Sequence, residues 1–119
     1  MTPIAKKIAD ALLEHHATIC VTHRDRPPED EDIDRCLITY GDLCIAAGVP
    51  VLAHVAGKFL AEIAGWCSEH EWPPINSLAV NSTSRNPGGG YDNAAGCNLI
   101  NWLTEVKCCI AFSGYPETV

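Results

Sequence analysis

The chain has 119 residues, fifteen acids against eight Lys and Arg, and a net charge of −7; hydrophobic residues make up 47% of it and charged residues 19%. That length fits one domain, 1–119, and the composition excludes a disordered chain, because a core of this size buries about two-thirds of the unfolded surface. The charge argues against nucleic acid as the default partner, since an acidic protein repels phosphates and gains nothing from counterion release.

No stretch approaches the roughly 18 apolar residues of a membrane span. Lys6, Lys7 and Asp10 interrupt the first residues, so no signal-peptide pattern forms and a cytoplasmic chain is expected. The seven cysteines are odd in number and sparser than in a disulfide scaffold. They are expected to be reduced, mostly as small core residues, and the sequon Asn81-Ser82-Thr83 is then irrelevant.

Thr2 and Pro3 predict a helix start, with Thr2 as N-cap and Pro3 at the first helical position. Ile4, Ile8, Ala11 and Leu12 then share one face while Lys6, Lys7, Asp10 and Glu14 take the other, up to about His15-His16. The β-branched run Thr18-Ile19-Cys20-Val21-Thr22 is compatible with a short strand. From His23 to Arg35, Pro27-Pro28 and the acids Glu29, Asp30, Glu31, Asp32 and Asp34 predict a solvated loop with one helical turn started by Pro28. A sharper reading of the same acids is a docking surface for a basic partner.

Thr39 is placed to cap a short helix with Asp42 at N3, a variant of the capping box. Leu43, Cys44 and Ala47 form its buried side, Gly48 stops it, and Val49-Pro50 opens a longer helix. On that helix Leu52, Val55, Ala56, Phe59, Leu60, Ile63 and Trp66 or Cys67 repeat at helical intervals. A short helix, a glycine turn and a longer helix predict a helix-turn-helix over about 39–70. Glu71-Trp72-Pro73-Pro74 breaks it, Ile75 to Val80 reads as a strand, and Asn81 to Asn93 reads as a hairpin loop or flap around Pro87-Gly88-Gly89-Gly90. Strand and wing thus fill about 75–93, and Leu99, Trp102, Leu103 and Val106 mark a C-terminal helix over about 96–108.

Six short pieces carry a resemblance: Thr39-Tyr40-Gly41-Asp42-Leu43, Gly48-Val49-Pro50, His54-Val55-Ala56-Gly57, Pro73-Pro74, Leu78-Ala79-Val80-Asn81-Ser82 and Pro87-Gly88-Gly89-Gly90. In their order and spacing, Ile38 to Tyr91 resembles the winged-helix domain of the alkylguanine-DNA alkyltransferase and alkyltransferase-like family. The resemblance implies an α+β, winged-helix-like helix-turn-helix with three or four helices and a small antiparallel sheet. It also implies that Tyr40 takes the place of the tyrosine that rotates the base. The arginine that fills the gap left by a flipped base falls on His54, the nucleophilic cysteine on Asn76 and its histidine neighbour on Ser77. A carboxamide cannot accept an alkyl group by thiolate chemistry, so alkyl transfer is excluded on this alignment. Alkyltransferase-like proteins lack the cysteine yet bind damaged DNA. On that reading Val51, His54 and Lys58 face the groove, Tyr40 contacts the backbone and Arg85 sits on the wing.

Other clusters have plainer explanations. His15, His16, Cys20 and His23 fit no standard zinc spacing, and no Cys-x-x-Cys occurs, so no metal is expected. Of Cys108-Cys109, one is expected to face the core. The triple glycine at Gly88-Gly89-Gly90 lacks the Lys-Ser or Lys-Thr of a P-loop. Nothing brings His70 to Ser82, Thr83 or Ser84 as a base. Trp66, Trp72 and Tyr91 line a partner groove or, more simply, staple the third helix to the wing. These readings converge on a non-catalytic binding module without cofactor, acting mainly through a protein partner or as a homodimer. A DNA-binding alkyltransferase-like protein is one alternative. An acidic nucleic-acid mimic, resting only on charge, is the other.

Overall fold

The N-terminal cap forms as its sequence dictates. In the computed structural model, which describes residues 1–20, 29–49, 57–88 and 91–119, Thr2 Oγ1 accepts from the Ala5 amide at 3.3 Å and starts α1 (Pro3–His15). Ala5, Ile8, Ala9, Leu12 and Leu13 are buried along one stripe. The Thr2 amide and hydroxyl donate to the two carboxylate oxygens of Glu62, at 3.0 and 2.9 Å, tying the start of α1 to a later helix. Where a strand was expected at Thr18–Thr22, residues His16–Cys20 form a π-helical turn; Val21 and Thr22 lie outside the described residues. Continuing the helical path buries both His16 and Cys20, and that burial outweighs the weak β preference of Thr18 and Ile19.

Residues 29–35 are not a loop. Asp30–Cys36 forms α2, with the Asp32 carboxylate accepting from the Glu29 amide at 3.0 Å. Ile33 and Cys36, three residues apart, are its buried side. Acids in the first turn suit the positive end of a helix dipole, so the run that suggested a solvated loop also favours this helix. Pro28, the expected start, lies outside the described residues.

Ile38–Thr39 is β1 and leads directly into α3 (Tyr40–Ala47), where Thr39 Oγ1 accepts from the Asp42 amide at 3.2 Å. Gly48 ends α3 at φ 67°, a left-handed conformation that costs glycine little. Residues 50–56 lie outside the described residues, and with them Val51 and His54. The next helix is α4 (Gly57–Glu69), which buries Phe59, Leu60, Ile63, Ala64 and Cys67. The turn and the start of the second helix of the expected helix-turn-helix thus lie outside the described residues, which show α3 and α4 on either side of it.

The sheet corrects the expected antiparallel arrangement. Ala79–Val80 is β2, and it pairs with β1 in parallel, Ile38 opposite Ala79 and Thr39 opposite Val80. The chain between them passes through α3 and α4, and a helical crossover is the connection that returns a chain parallel to where it started. Ile75–Leu78, expected as strand, is a 3-10 turn. Within Asn81–Gly88 the backbone turns on itself, the Asn81 amide bonding the Asn86 carbonyl at 2.8 Å and the Arg85 amide the Asn81 carbonyl at 2.9 Å. The last helix also starts later than expected: a 3-10 turn at Leu99–Asn101 opens into α5 (Trp102–Ala111).

The result is a helix-rich α+β chain with one two-stranded parallel sheet among the described residues. Helix α1 packs on α3 and α4, and α5 packs on α2 and on the Ile75–Leu78 turn. Ile8, Leu12, Leu43, Ile63, Ile75, Leu78, Val80, Val106 and Ile110 are fully enclosed where these meet. Among the described residues no helix is long and apolar enough to cross a membrane.

Candidate functional site

Helix α2 and the first half of α5 face each other across an open groove of about 270 Å³. Asp30, Ile33, Asp34 and Leu37 form one wall, at the i, i+3, i+4, i+7 spacing of a single helix face. Trp102, Leu103 and Lys107 of α5 form the other, and Arg85 closes the end. Arg85 has a left-handed backbone at φ 58°, and its Nη2 donates to Asp34 Oδ1 at 2.8 Å and to the Asp34 carbonyl at 3.2 Å. Trp102 is only 7% exposed, and its indole N–H donates to the Ser77 carbonyl at 2.9 Å, which fixes the floor.

Beside the groove, apolar side chains face water. Ile100 is 92% exposed, Leu103 53% and Leu99 43%. Leu99 and Ile100 sit in the 3-10 turn that leads into α5 and Leu103 on its first turn, while Trp102, Val106, Cys109 and Ile110 take the core face. This segment is thus apolar on two sides, and only one is covered.

Behind Trp102 lies a buried polar network. Ser77 Oγ is 2.6 Å from the Tyr91 hydroxyl, and Tyr91 donates to Glu105. The other Glu105 oxygen accepts from the Asn98 amide at 3.2 Å. Burial, together with the Glu105 hydrogen bond, pushes the Tyr91 phenol well above its ordinary range. Asn76 Nδ2 donates to Cys97 Sγ at 3.5 Å, while Asn76 Oδ1 is enclosed with no hydrogen-bond partner among the described residues. Burial raises the Cys97 thiol, and the nearby Glu105 carboxylate adds to that, so little thiolate forms near neutrality.

Of the residues singled out for nucleic-acid contact, Tyr40 is turned inward, while Lys58 is exposed and Arg85 half-exposed. The Tyr40 hydroxyl accepts from the Gly88 amide at 2.5 Å, and burial raises its phenol. Arg85 is engaged by Asp34, and Lys58 places its ammonium 4.9 Å from the centre of the Phe59 ring. Tyr40 and the wing are brought together; Val51 and His54 fall outside the described residues.

Of the aromatic set, Trp66 and Trp72 meet edge to face at 5.1 Å, but Tyr91 belongs to the polar network instead. Trp72 stacks on His70 at 4.3 Å and contacts Phe112 and Tyr115, whose hydroxyl donates to the Pro73 carbonyl at 2.5 Å. The staple therefore joins the end of α4 to the segment after α5 rather than to the wing. His70 is held in that stack, away from any pairing with Ser82 to Ser84.

His15 and His16 both bond backbone carbonyls. His15 Nε2 lies 2.7 Å from the Cys36 carbonyl and His16 Nε2 2.6 Å from the Cys109 carbonyl, so each of these nitrogens carries its proton. All seven cysteines are free thiols; Cys109 is buried and its neighbour Cys108 exposed. Among the described residues no three metal-ligating side chains gather.

Sequence reasoning missed Leu99, Ile100 and Leu103 as surface, and Asp34, Cys97 and Glu105 as partners in a site. For the apolar strip a signal existed: the segment from Leu99 to Ile110 carries more apolar positions than one helical stripe needs. For the others none did, because their partners are distant in sequence. No known protein family, curated protein or solved structure matches the chain.

Proposed function

We propose that this chain is a non-catalytic binding module that works through protein contacts, with the α2–α5 groove and the adjoining strip as its docking face. One observation carries the reading: Leu99, Ile100 and Leu103 are exposed together, contiguous with a groove floored by Trp102. Single exposed apolar residues need no explanation, but a contiguous group beside a concave surface is how an interface core looks before its partner arrives. The raised Cys97 thiol supports a non-catalytic role, since it makes a poor nucleophile at neutral pH.

The test is a photo-crosslinking amino acid placed at Ile100 and, as control, at Lys6 on the exposed side of α1. In cells expressing the chain, defined protein adducts are expected from position 100 and not from position 6. A chain that forms no adduct at position 100 and sediments as a monomer does not work this way.

A second reading, alkyltransferase-like DNA binding, is supported by the convergence of the segments that carry the resemblance. β1 pairs with β2, and Tyr40 reaches Gly88. Its test is titration of duplex DNA, intact and alkylated, at low and physiological salt. Saturable binding with a salt slope that Arg85→Ala reduces supports it, and no binding at low salt rejects it.

A further inference from the structure

We propose that the groove takes an amphipathic helix from a partner protein, its apolar face laid on Leu99, Ile100, Leu103 and Trp102 and its basic flank turned toward Asp30 and Glu31. This rests on reading the α2–α5 face as a protein-docking surface and names what docks there. Two independent properties of the face select this occupant.

The first is shape. The strip runs from the 3-10 turn at Leu99–Asn101 into the first turn of α5 and meets the groove at Leu103, so apolar surface extends the groove along the helix. Helix-in-groove recognition lays a partner's side chains at i, i+3 or i+4, and i+7 against an apolar surface between elements, which the strip and the groove together supply. At about 270 Å³ and open to solvent, the groove holds anchor side chains better than a whole small ligand, whose pockets run from about 300 to 1,000 Å³ and enclose it.

The second is charge. Asp34 is already paired with Arg85, whereas Asp30 on the groove wall and its neighbour Glu31, beside the groove and outside its lining, are exposed and hold no ion pair among the described residues. An incoming Lys or Arg desolvates little and gains an opposite charge there. Lys107 stands on the α5 wall and repels a basic flank from that side, which fixes the partner's roll about its axis. A second copy of the chain is disfavoured, because it brings another net charge of −7.

The probe is a fluorescein-labelled peptide of about 18 residues, long enough for five helical turns. It carries Leu at helical spacing and Lys and Arg along one flank. A scrambled peptide of the same composition and a peptide with Glu on that flank are the controls. Binding is read by anisotropy at physiological salt and mapped by amide chemical shifts on the full chain. The basic amphipathic peptide is expected to bind, shifting α2 and residues 99–107. Asp30→Lys combined with Glu31→Lys should weaken it by about tenfold or more, and Lys107→Glu should tighten it by a few-fold. Ile100→Asp should abolish it; the side chain is so exposed that thermal denaturation should confirm an intact fold. Equal binding by the scrambled peptide, preference for the Glu peptide, or shifts elsewhere would overturn the proposal. A dimer dissociated by Ile100→Asp, without peptide binding, would also overturn it while leaving the protein-contact reading in place. A monomer that binds no peptide and gives no adduct from position 100 would remove both.

Discussion

Tyr40, the first residue of α3, holds the turn segment 81–88: its hydroxyl accepts a 2.5 Å hydrogen bond from the amide of Gly88. The ring also lies against Gly88, where a Cβ would come within 3.4 Å of the hydroxyl oxygen. Burial raises the phenol, and because the amide is the donor and the phenol oxygen the acceptor, this bond does not depend on the phenol's proton. Tyr40→Phe removes the acceptor and leaves a partly buried N–H without its partner. The expected loss is about 1 kcal/mol of stability, with faster amide exchange at residues 81–88 than elsewhere. Unchanged exchange in that segment would show that other contacts hold it.

Trp72 is the hub of the aromatic cluster, touching Trp66, His70, Phe112 and Tyr115. Trp72→Ala is expected to cost about 2–3 kcal/mol, at or just below the bottom of the range for buried aromatic truncation because the ring is half-buried. The segment after α5 should loosen with it, since Phe112 and Tyr115 lose their packing surface. Denaturant melts and proteolysis after residue 111 check this. A small loss with an intact tail would mean that the Tyr115 bond to the Pro73 carbonyl suffices.

Local signals were legible and distant ones were not. The Thr2 and Thr39 caps and the glycine stop at Gly48 need only neighbours in sequence, and each forms where expected. Helix α2 was hidden because only Ile33 and Cys36 mark its core side, amid acids that suit a loop equally well. The parallel pairing could not be read from two strands of two residues each; their register is set by α3 and α4, not by strand propensity. The groove has the same origin. Arg85 meets Asp34 across 51 residues, and Trp102 meets Ser77 across 25.

Asn76 Oδ1 is a buried acceptor without a partner among the described residues, and its amide donates only a long bond to sulfur. Such a half-satisfied carboxamide costs stability. Asn76→Leu, close in size, is therefore expected to leave stability unchanged or raise it by up to about 1 kcal/mol. A loss above that, measured in urea, would show that a solvent molecule or another group satisfies the oxygen.

Thiol reactivity should sort by exposure. Cys108 is exposed and Cys97 half-buried, while Cys20, Cys36, Cys44, Cys67 and Cys109 are buried. At about pH 8, near where a free thiol begins to ionise, a disulfide reagent should label Cys108 in a fast phase. Cys97 should follow slowly, its thiol raised by burial. The other five should react only as fast as the chain opens. Cys108→Ser should erase the fast phase, and a fast phase that survives would refute this assignment.

Buried thiols also set how stability responds to base. Cys67 is fully enclosed, and burial pushes its thiol up to about 11. Unfolded, the same thiol titrates near about 8.5, so between those values the unfolded chain releases a proton that the folded chain retains. A raised folded pKa means that the stabilisation is intact below about 8.5 and is lost as pH climbs toward about 11. Each tenfold difference in proton affinity between the two states is worth about 1.4 kcal/mol, so Cys67 accounts for roughly 3–3.5 kcal/mol over that window. Cys109 and Cys44, both raised by burial, move the same way and steepen the decline, whereas in the hydrogen-bonded Cys20–Cys36 pair one thiol is raised and the other lowered. Urea midpoints measured from about pH 7.5 to about pH 10.5 should therefore fall. Cys67→Ala should lower the neutral-pH midpoint through lost packing yet flatten its pH dependence. A variant that declines as steeply as the parent would assign the alkaline loss to other groups.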